Sequence, residues 1–175
     1  MSGSADATVL VADDEEGLVG LYEAFLAERY EVRTATDGRA ALSLADEGVD
    51  VAVLDRRMPG ATGDEVLSAL RADESRYQVA MLTAVEPDTD ILALPFDDYR
   101  TKPVDRQELR GVVELLLRRR ECDERSQELF RLASKKAALE TAGTVGGEEY
   151  ERLTEELAAA RDRVDARDAP AHLRP

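Results

Sequence analysis

The 175-residue chain reads as an α/β protein, a doubly wound five-stranded parallel sheet followed by a C-terminal α-helical hairpin with coiled-coil spacing. Three observations carry that reading. Two short runs, Val9–Ala12 and Val51–Leu54, are continuously apolar instead of alternating, as in strands buried on both faces. Each run stops at an aspartate and is followed by helically spaced apolar residues, so strands and helices alternate as in a parallel sheet covered on both sides. Beyond residue 104 the strand pattern disappears and the charge balance changes, from 9 basic against 22 acidic residues in 1–104 to 14 against 16 in 105–175.

The elements run in order along the chain. After Val9–Ala12, Leu18, Leu21, Tyr22, Phe25 and Leu26 mark a helix; Glu31–Ala35 is the second strand and 38–47 the second helix. Val51–Leu54 ends at Asp55, a helix covers 64–72, and Val79–Thr83 is the fourth strand. Pro87 and Pro95 bracket only residues 88–94, so the helix due before the last strand, near 99–101, is limited to one or two turns. From Asp105, Leu109, Val112, Val113, Leu116 and Leu117 predict a long helix running on through Leu129, Leu132 and Leu139 to about Thr141. The three glycines within 142–147 make a turn. A second helix spans 148 to about 167, and its seam of Tyr150, Leu153, Leu157, Ala160 and Val164 has coiled-coil spacing. So short a turn makes the two helices antiparallel, with the seam on Leu129–Leu139. The chain therefore divides into 7–104 and 105–168, with 1–6 and 169–175 expected to be disordered.

Composition excludes several classes. A single Cys122 and a single His172 provide neither an internal disulfide nor a zinc-ligand set. No apolar run is long enough to cross a membrane, and MSGSADAT lacks the basic and apolar segments of a secretory signal, so a cytoplasmic location is expected. The net charge is −15, with 20 Arg against three Lys (Lys102, Lys135, Lys136). Such a surface suits a cytoplasm at molar salt, where self-repulsion is screened, and points to a halophilic source.

The chemistry lies at the carboxyl ends of the predicted strands. Asp13 and Asp14 follow the first strand and Asp55 the third, and the sheet order brings those ends together. Three neighbouring carboxylates repel strongly in a partly dry cleft, so a cation is expected, and an all-oxygen set favours Mg²⁺. Thr83 adds a hydroxyl and Lys102 a point cation. Singly, the Asp13–Asp14 pair reads as a helix cap and Asp55 as a turn residue. Together in strand order they make a phosphoryl-handling site in which Asp55 is the nucleophile, forming an aspartyl phosphate.

The segments VLVADDEEG, VAVLDRRMPGATGDEVL, MLTA and DDYRTKPVD resemble the receiver domains of two-component response regulators, a flavodoxin-like fold. The resemblance implies that Asp14 binds Mg²⁺ directly and Asp13 mostly through water, that Asp55 is phosphorylated, and that the Arg57 backbone carbonyl completes the metal shell. It implies further that Thr83 and Tyr99 form a switch pair and that Lys102 precedes a cis proline, Pro103. The interval from Thr83 to Lys102 is shorter than the family's usual one, and Arg56 and Arg57 are positioned to pair with the phosphoryl group or with nearby acids. An aspartyl-phosphate phosphatase or mutase is disfavoured, because Arg57 stands where those enzymes carry a second acid.

The tail segment ELFRLASKKAALE and the hairpin layout resemble the HalX-type domain of haloarchaeal receivers. The function implied is that of a phosphorelay response regulator, not a turnover enzyme, with a sensor histidine kinase as phosphoryl donor. The C-terminal helices then serve partner docking or a homodimer, with the long helix carrying the signal. The alternative is a DNA-binding transcription regulator acting through Arg118–Lys136, where seven cations meet four acids. That alternative ranks second, because molar salt weakens phosphate attraction and such a stretch also suits a solvated helix face.

Overall fold

The computed structural model describes residues 7–73 and 77–168. Five parallel strands, β1 (Thr8–Ala12), β2 (Glu31–Ala35), β3 (Val51–Leu54), β4 (Gln78–Thr83) and β5 (Asp98–Thr101), lie in the order β2-β1-β3-β4-β5. This is the doubly wound topology expected, with its switch point between β1 and β3. Strand register aligns the carboxyl ends: Ala12 pairs with Leu54 and Thr83 with Thr101, so Asp13, Asp55 and Lys102 leave the sheet along one rim.

The helices are α1 (Glu16–Leu26), α2 (Gly38–Leu44), α3 (Gly63–Ala72), α4 (Arg106–Arg120), α5 (Glu124–Thr141) and α6 (Glu148–Asp168). Alternate strand residues feed two cores. On one face Val9, Val11, Val51 and Val53 pack with Tyr22 and Leu26 of α1 and with Leu109, Val113 and Leu116 of α4. On the other, Leu10, Leu54, Val79 and Met81 pack with Val66, Leu67 and Leu70 of α3. Capping boxes start α3 (Thr62 with Glu65) and α4 (Asp105 with Glu108), each satisfying two end groups.

Two expectations need correction. The long helix is broken: α4 ends at Arg120, and Asp123 caps a new helix by accepting from the Ser126 N–H at 2.9 Å. Apolar spacing alone does not register a new N-cap, which is a local hydrogen-bonding event. The second helix is also shorter than read, ending at Leu44, where Ala45 is already extended. Between β4 and β5 stands only a five-residue 3₁₀ turn, Thr89–Ala93, consistent with the bracketing prolines.

The place beside β5 left by that shortened element is taken by the hairpin. Buried Ala138 and Leu139 of α5 and Leu153 of α6 join the core of Ile91, Phe96 and Tyr99 on the α3 face. The α6 seam is as predicted: Leu153, Leu157 and Ala160 are buried, and Tyr150 and Val164 half-buried. Gly143, Gly146 and Gly147 adopt positive φ in the connection, where other residues would be strained. Pairs at opposite ends, Tyr150 Oη donating to Glu140 at 2.7 Å and Arg163 with Glu128 at 3.5 Å, show the antiparallel arrangement. The expectations for 1–6, 169–175 and His172 lie outside the described residues.

Candidate phosphoryl-transfer site

Sheet hydrogen bonds carry the chain to the rim. The Asp13 N–H donates to the Ala35 carbonyl at 3.1 Å, the Asp55 N–H to Ala12 at 2.9 Å, and the Lys102 N–H to Thr83 at 2.9 Å. Asp13 and Asp55 are buried and Asp14 is exposed, yet carboxylate oxygens of all three lie within 4.8 Å of one another. The Lys102 ammonium reaches Asp13 Oδ2 at 2.5 Å and Asp55 Oδ2 at 3.1 Å, with Glu15 at the margin, 4.0 Å away. Burial pushes the Lys102 pKa down, but its hydrogen bonds to Asp13 and Asp55 and their charges outweigh that, leaving it above the ordinary lysine value. The Lys102–Pro103 peptide is cis, as the resemblance implied.

The loop after β3 folds back tightly over Asp55. The Gly63 N–H donates to the Arg56 carbonyl at 2.9 Å, and a Cβ on Gly63 would lie 2.0 Å from the Asp55 carbonyl oxygen. Glycine is therefore required where α3 begins. The resulting cleft of about 430 Å³ is lined by Asp14, Asp55, Arg57, Thr83 and Lys102. The Arg57 N–H approaches Asp55 Oδ1 at 3.4 Å.

Thr83 is buried, and its hydroxyl accepts from the Val85 N–H at 3.3 Å. Tyr99 is buried too, its phenol donating to the Val85 carbonyl at 2.6 Å. Burial raises the Tyr99 pKa, opposed by the adjacent Arg56 guanidinium. The sequence-derived residues Asp14, Asp55, Arg57, Thr83 and Lys102 thus share the cleft, Asp13 joins them from beneath through the carboxylate cluster and Lys102, and Tyr99 sits one step behind. The two arginines separate: Arg57 lines the cleft, whereas Arg56 pairs with acids, holding Asp64 through a fork at 3.0 and 2.8 Å and Asp90 at 2.8 Å.

Sequence reasoning missed Asp97. It is 3% exposed, accepts from the Val79 N–H at 2.8 Å and from Arg131 Nε at 2.8 Å, and pairs with Arg71. Arg119 joins this group through the Asp97 carbonyl at 3.3 Å and the Ser134 hydroxyl at 3.2 Å. Nothing in the local pattern marks these contacts, because the partners lie 18 to 34 residues from Asp97.

The donor set suits a hard divalent cation: oxygen-only, closely spaced, with one carboxylate open to solvent. Among known proteins, the family model described as response regulator receiver domain matches residues 9–114, and the HalX domain model matches 118–169. A Haloferax volcanii protein, provisionally named a transcriptional regulator, is 44% identical over 164 residues, 93% of this chain and 28% of that protein. The Bacillus subtilis alkaline phosphatase synthesis transcriptional regulatory protein PhoP is 40% identical over 126 residues, 69% of this chain and 52% of its own. The response regulator TrrA of Thermotoga maritima, solved in complex with Mg²⁺ and BeF, is 31% identical with a TM-score of 0.55, covering 63% of this chain and 99% of that one. The chain thus spans about half or less of the length of these two curated relatives. Since the two family models between them match nearly the whole described chain, the protein belongs to the response regulators, with a receiver domain joined to a C-terminal HalX domain.

Proposed function

We propose that this chain accepts a phosphoryl group on Asp55 from a sensor histidine kinase and answers by changing how its hairpin is held. The observation that supports this best is the Asp13–Asp14–Asp55 cluster with the Lys102 ammonium inserted between Asp13 and Asp55. An Asp55 carboxylate oxygen bonds to phosphorus as the P–N bond of the donor phosphohistidine breaks, and the imidazole nitrogen keeps the electron pair. Lys102 moves its ion pair from the carboxylate toward the added phosphoryl oxygens, and Thr83 offers them a hydroxyl. Asp13, Asp14, Asp55 and the Arg57 carbonyl would hold Mg²⁺, which would supply positive charge against those oxygens. The chain acts as a phosphoacceptor with self-catalysed transfer and slow hydrolysis, not as a turnover enzyme. Residues 7–104 form the accepting unit and 105–168 the helical unit, and a cytoplasmic location accompanies this reading.

The hairpin is the proposed output, by docking a partner. The names of both curated relatives are those of transcriptional regulators, which keeps DNA in view, but five of the seven cations of the basic stretch are engaged within the chain, while Arg118 and Arg125 are exposed. Arg120 pairs with Asp50, Arg119 and Arg131 engage Asp97, Lys135 donates to the Leu92 carbonyl at 2.8 Å, and Lys136 pairs with Glu140. A duplex would have to compete for those cations.

The test uses the full chain with Mg²⁺ and acetyl phosphate in high KCl, with Asp55→Asn alongside. Intact-protein mass spectrometry should show one phosphoryl adduct on the wild type and none on Asp55→Asn. Asp14→Asn should keep the fold but need more Mg²⁺ for the same adduct. An adduct that survives Asp55→Asn would move the acceptor elsewhere.

A further inference from the structure

Arg56 comes directly after the proposed acceptor, and its guanidinium reaches three separate elements. It grips Asp64 in the first turn of α3 with two hydrogen bonds, reaches Asp90 in the 3₁₀ turn, and lies beside the Tyr99 phenol of β5. The side chain is only 11% exposed, and its Nη1 is buried without a hydrogen-bond partner, so its ion pairs run through Nε and Nη2 to the two acids. Its backbone is fixed as well, by the Gly63 N–H on its carbonyl.

Both branches from Arg56 end on the same residue of the hairpin. Through Asp90 it holds the turn whose Leu92 carbonyl accepts from Lys135 Nζ at 2.8 Å. Through Tyr99 it meets Phe96, with ring centroids 5.5 Å apart, and Lys135 Nζ stands 5.9 Å from the Phe96 centroid. A residue bonded to Asp55 on one side is thereby connected to α5 by two short, packed routes.

We propose that Arg56 is a positioning residue that couples the state of Asp55 to the hairpin, by holding Tyr99 and the Thr89–Ala93 turn as one unit against Lys135. This rests on the reading that phosphorylation of Asp55 changes how the hairpin is held. Arginine suits this place, because its planar fork holds Asp64 through Nε and Nη2 while the same Nη2 reaches Asp90, a fixed geometry that the rotating point charge of an ammonium does not reproduce.

Hydrogen exchange of residues 124–141 in the full chain, in Mg²⁺ and high KCl, with and without beryllofluoride, tests this. Phosphorylation from acetyl phosphate is followed in parallel by mass spectrometry. In Arg56→Gln and in Asp90→Asn, whose site is half exposed and tolerant, the adduct forms as in the wild type. The exchange response of the hairpin should fall by about 2- to 30-fold, the range seen when residues carrying coupling are changed. Arg56→Lys should give an intermediate response, and Asp64→Asn a smaller loss than Asp90→Asn. Wild-type responses in both Arg56→Gln and Asp90→Asn would overturn the role, as would loss of phosphorylation in Arg56→Gln with the fold intact by circular dichroism. A wild type whose hairpin ignores beryllofluoride, while Asp55 still takes a phosphoryl group, would overturn the output reading and the coupling with it.

Discussion

At Gly63 one hydrogen atom decides whether the cleft can close, since a methyl group would lie 2.0 Å from the Asp55 carbonyl oxygen and 2.8 Å from the Arg56 Cα. Backbone at both ends cannot yield as a flexible side chain would. Gly63→Ala should therefore cost about 1–3 kcal/mol, the usual penalty of overpacking, and displace the loop that carries Arg57. Thermal unfolding with a Mg²⁺ titration checks this: a lower midpoint together with weaker Mg²⁺ binding is expected, and an unchanged midpoint would mean that the loop has room to spare. Side chains of this kind differ in how far sequence reveals them. Asp13, Asp14, Asp55, Thr83 and Lys102 could be placed because each terminates a strand and parallel register does the rest. Asp64, Asp90 and Asp97 could not, since an acid at a helix start or in a loop looks solvated until a distant arginine is seen to lie against it.

The helical elements show the same division. Periodicity gave the strands, the start of α4 and the α6 seam, because those depend directly on which face is buried. It did not give the break at Glu121–Asp123, nor that α5 covers β5, because apolar spacing states that a face is buried and not against what. The covering contact is strong enough to measure. Leu139 is fully buried within the core shared by α5, α6, Ile91 and Phe96, and Leu139→Ala should cost about 2–5 kcal/mol. Urea unfolding with a hairpin probe should show that loss, and a cost well under this range would mean that the hairpin rests on the sheet only loosely. Lys135 makes the contact pH-dependent. Burial lowers its pKa, so between that lowered value and the ordinary 10.5 the unfolded chain binds the extra proton and stability rises with pH. The midpoint of the wild type relative to Lys135→Met should therefore climb as pH approaches 10.5. The Lys102 contribution is common to both proteins and cancels. A difference that is flat in pH would mean that Lys135 is well solvated.

For the whole molecule, the question is whether the hairpin is free to bring two chains together. The seam that would form a four-helix bundle is already used: Leu153, Leu157 and Ala160 of α6 are buried within the chain. What α6 shows outward is charge, with Glu148, Glu149, Glu151, Arg152, Glu155 and Glu156 all exposed. A net charge of −15 opposes close approach of two copies at low salt, and at about 1 M salt the ~3 Å Debye length removes that repulsion without supplying an apolar patch. Association through the seam therefore requires the hairpin to open or to leave β5, the latter giving up the Leu139 core and the Arg131–Asp97 bridge. Light scattering in high KCl should accordingly return the mass of one 19.2 kDa chain for the unphosphorylated protein and for Asp55→Asn. The same mass is expected after acetyl phosphate, because loosening at Lys135 changes what the hairpin offers a partner without freeing the seam. A doubled mass that depends on intact Asp55 would show instead that phosphorylation frees α6 for exchange between chains. The Leu139→Ala variant would then dimerise without any phosphoryl donor, since it weakens the same contact by another route.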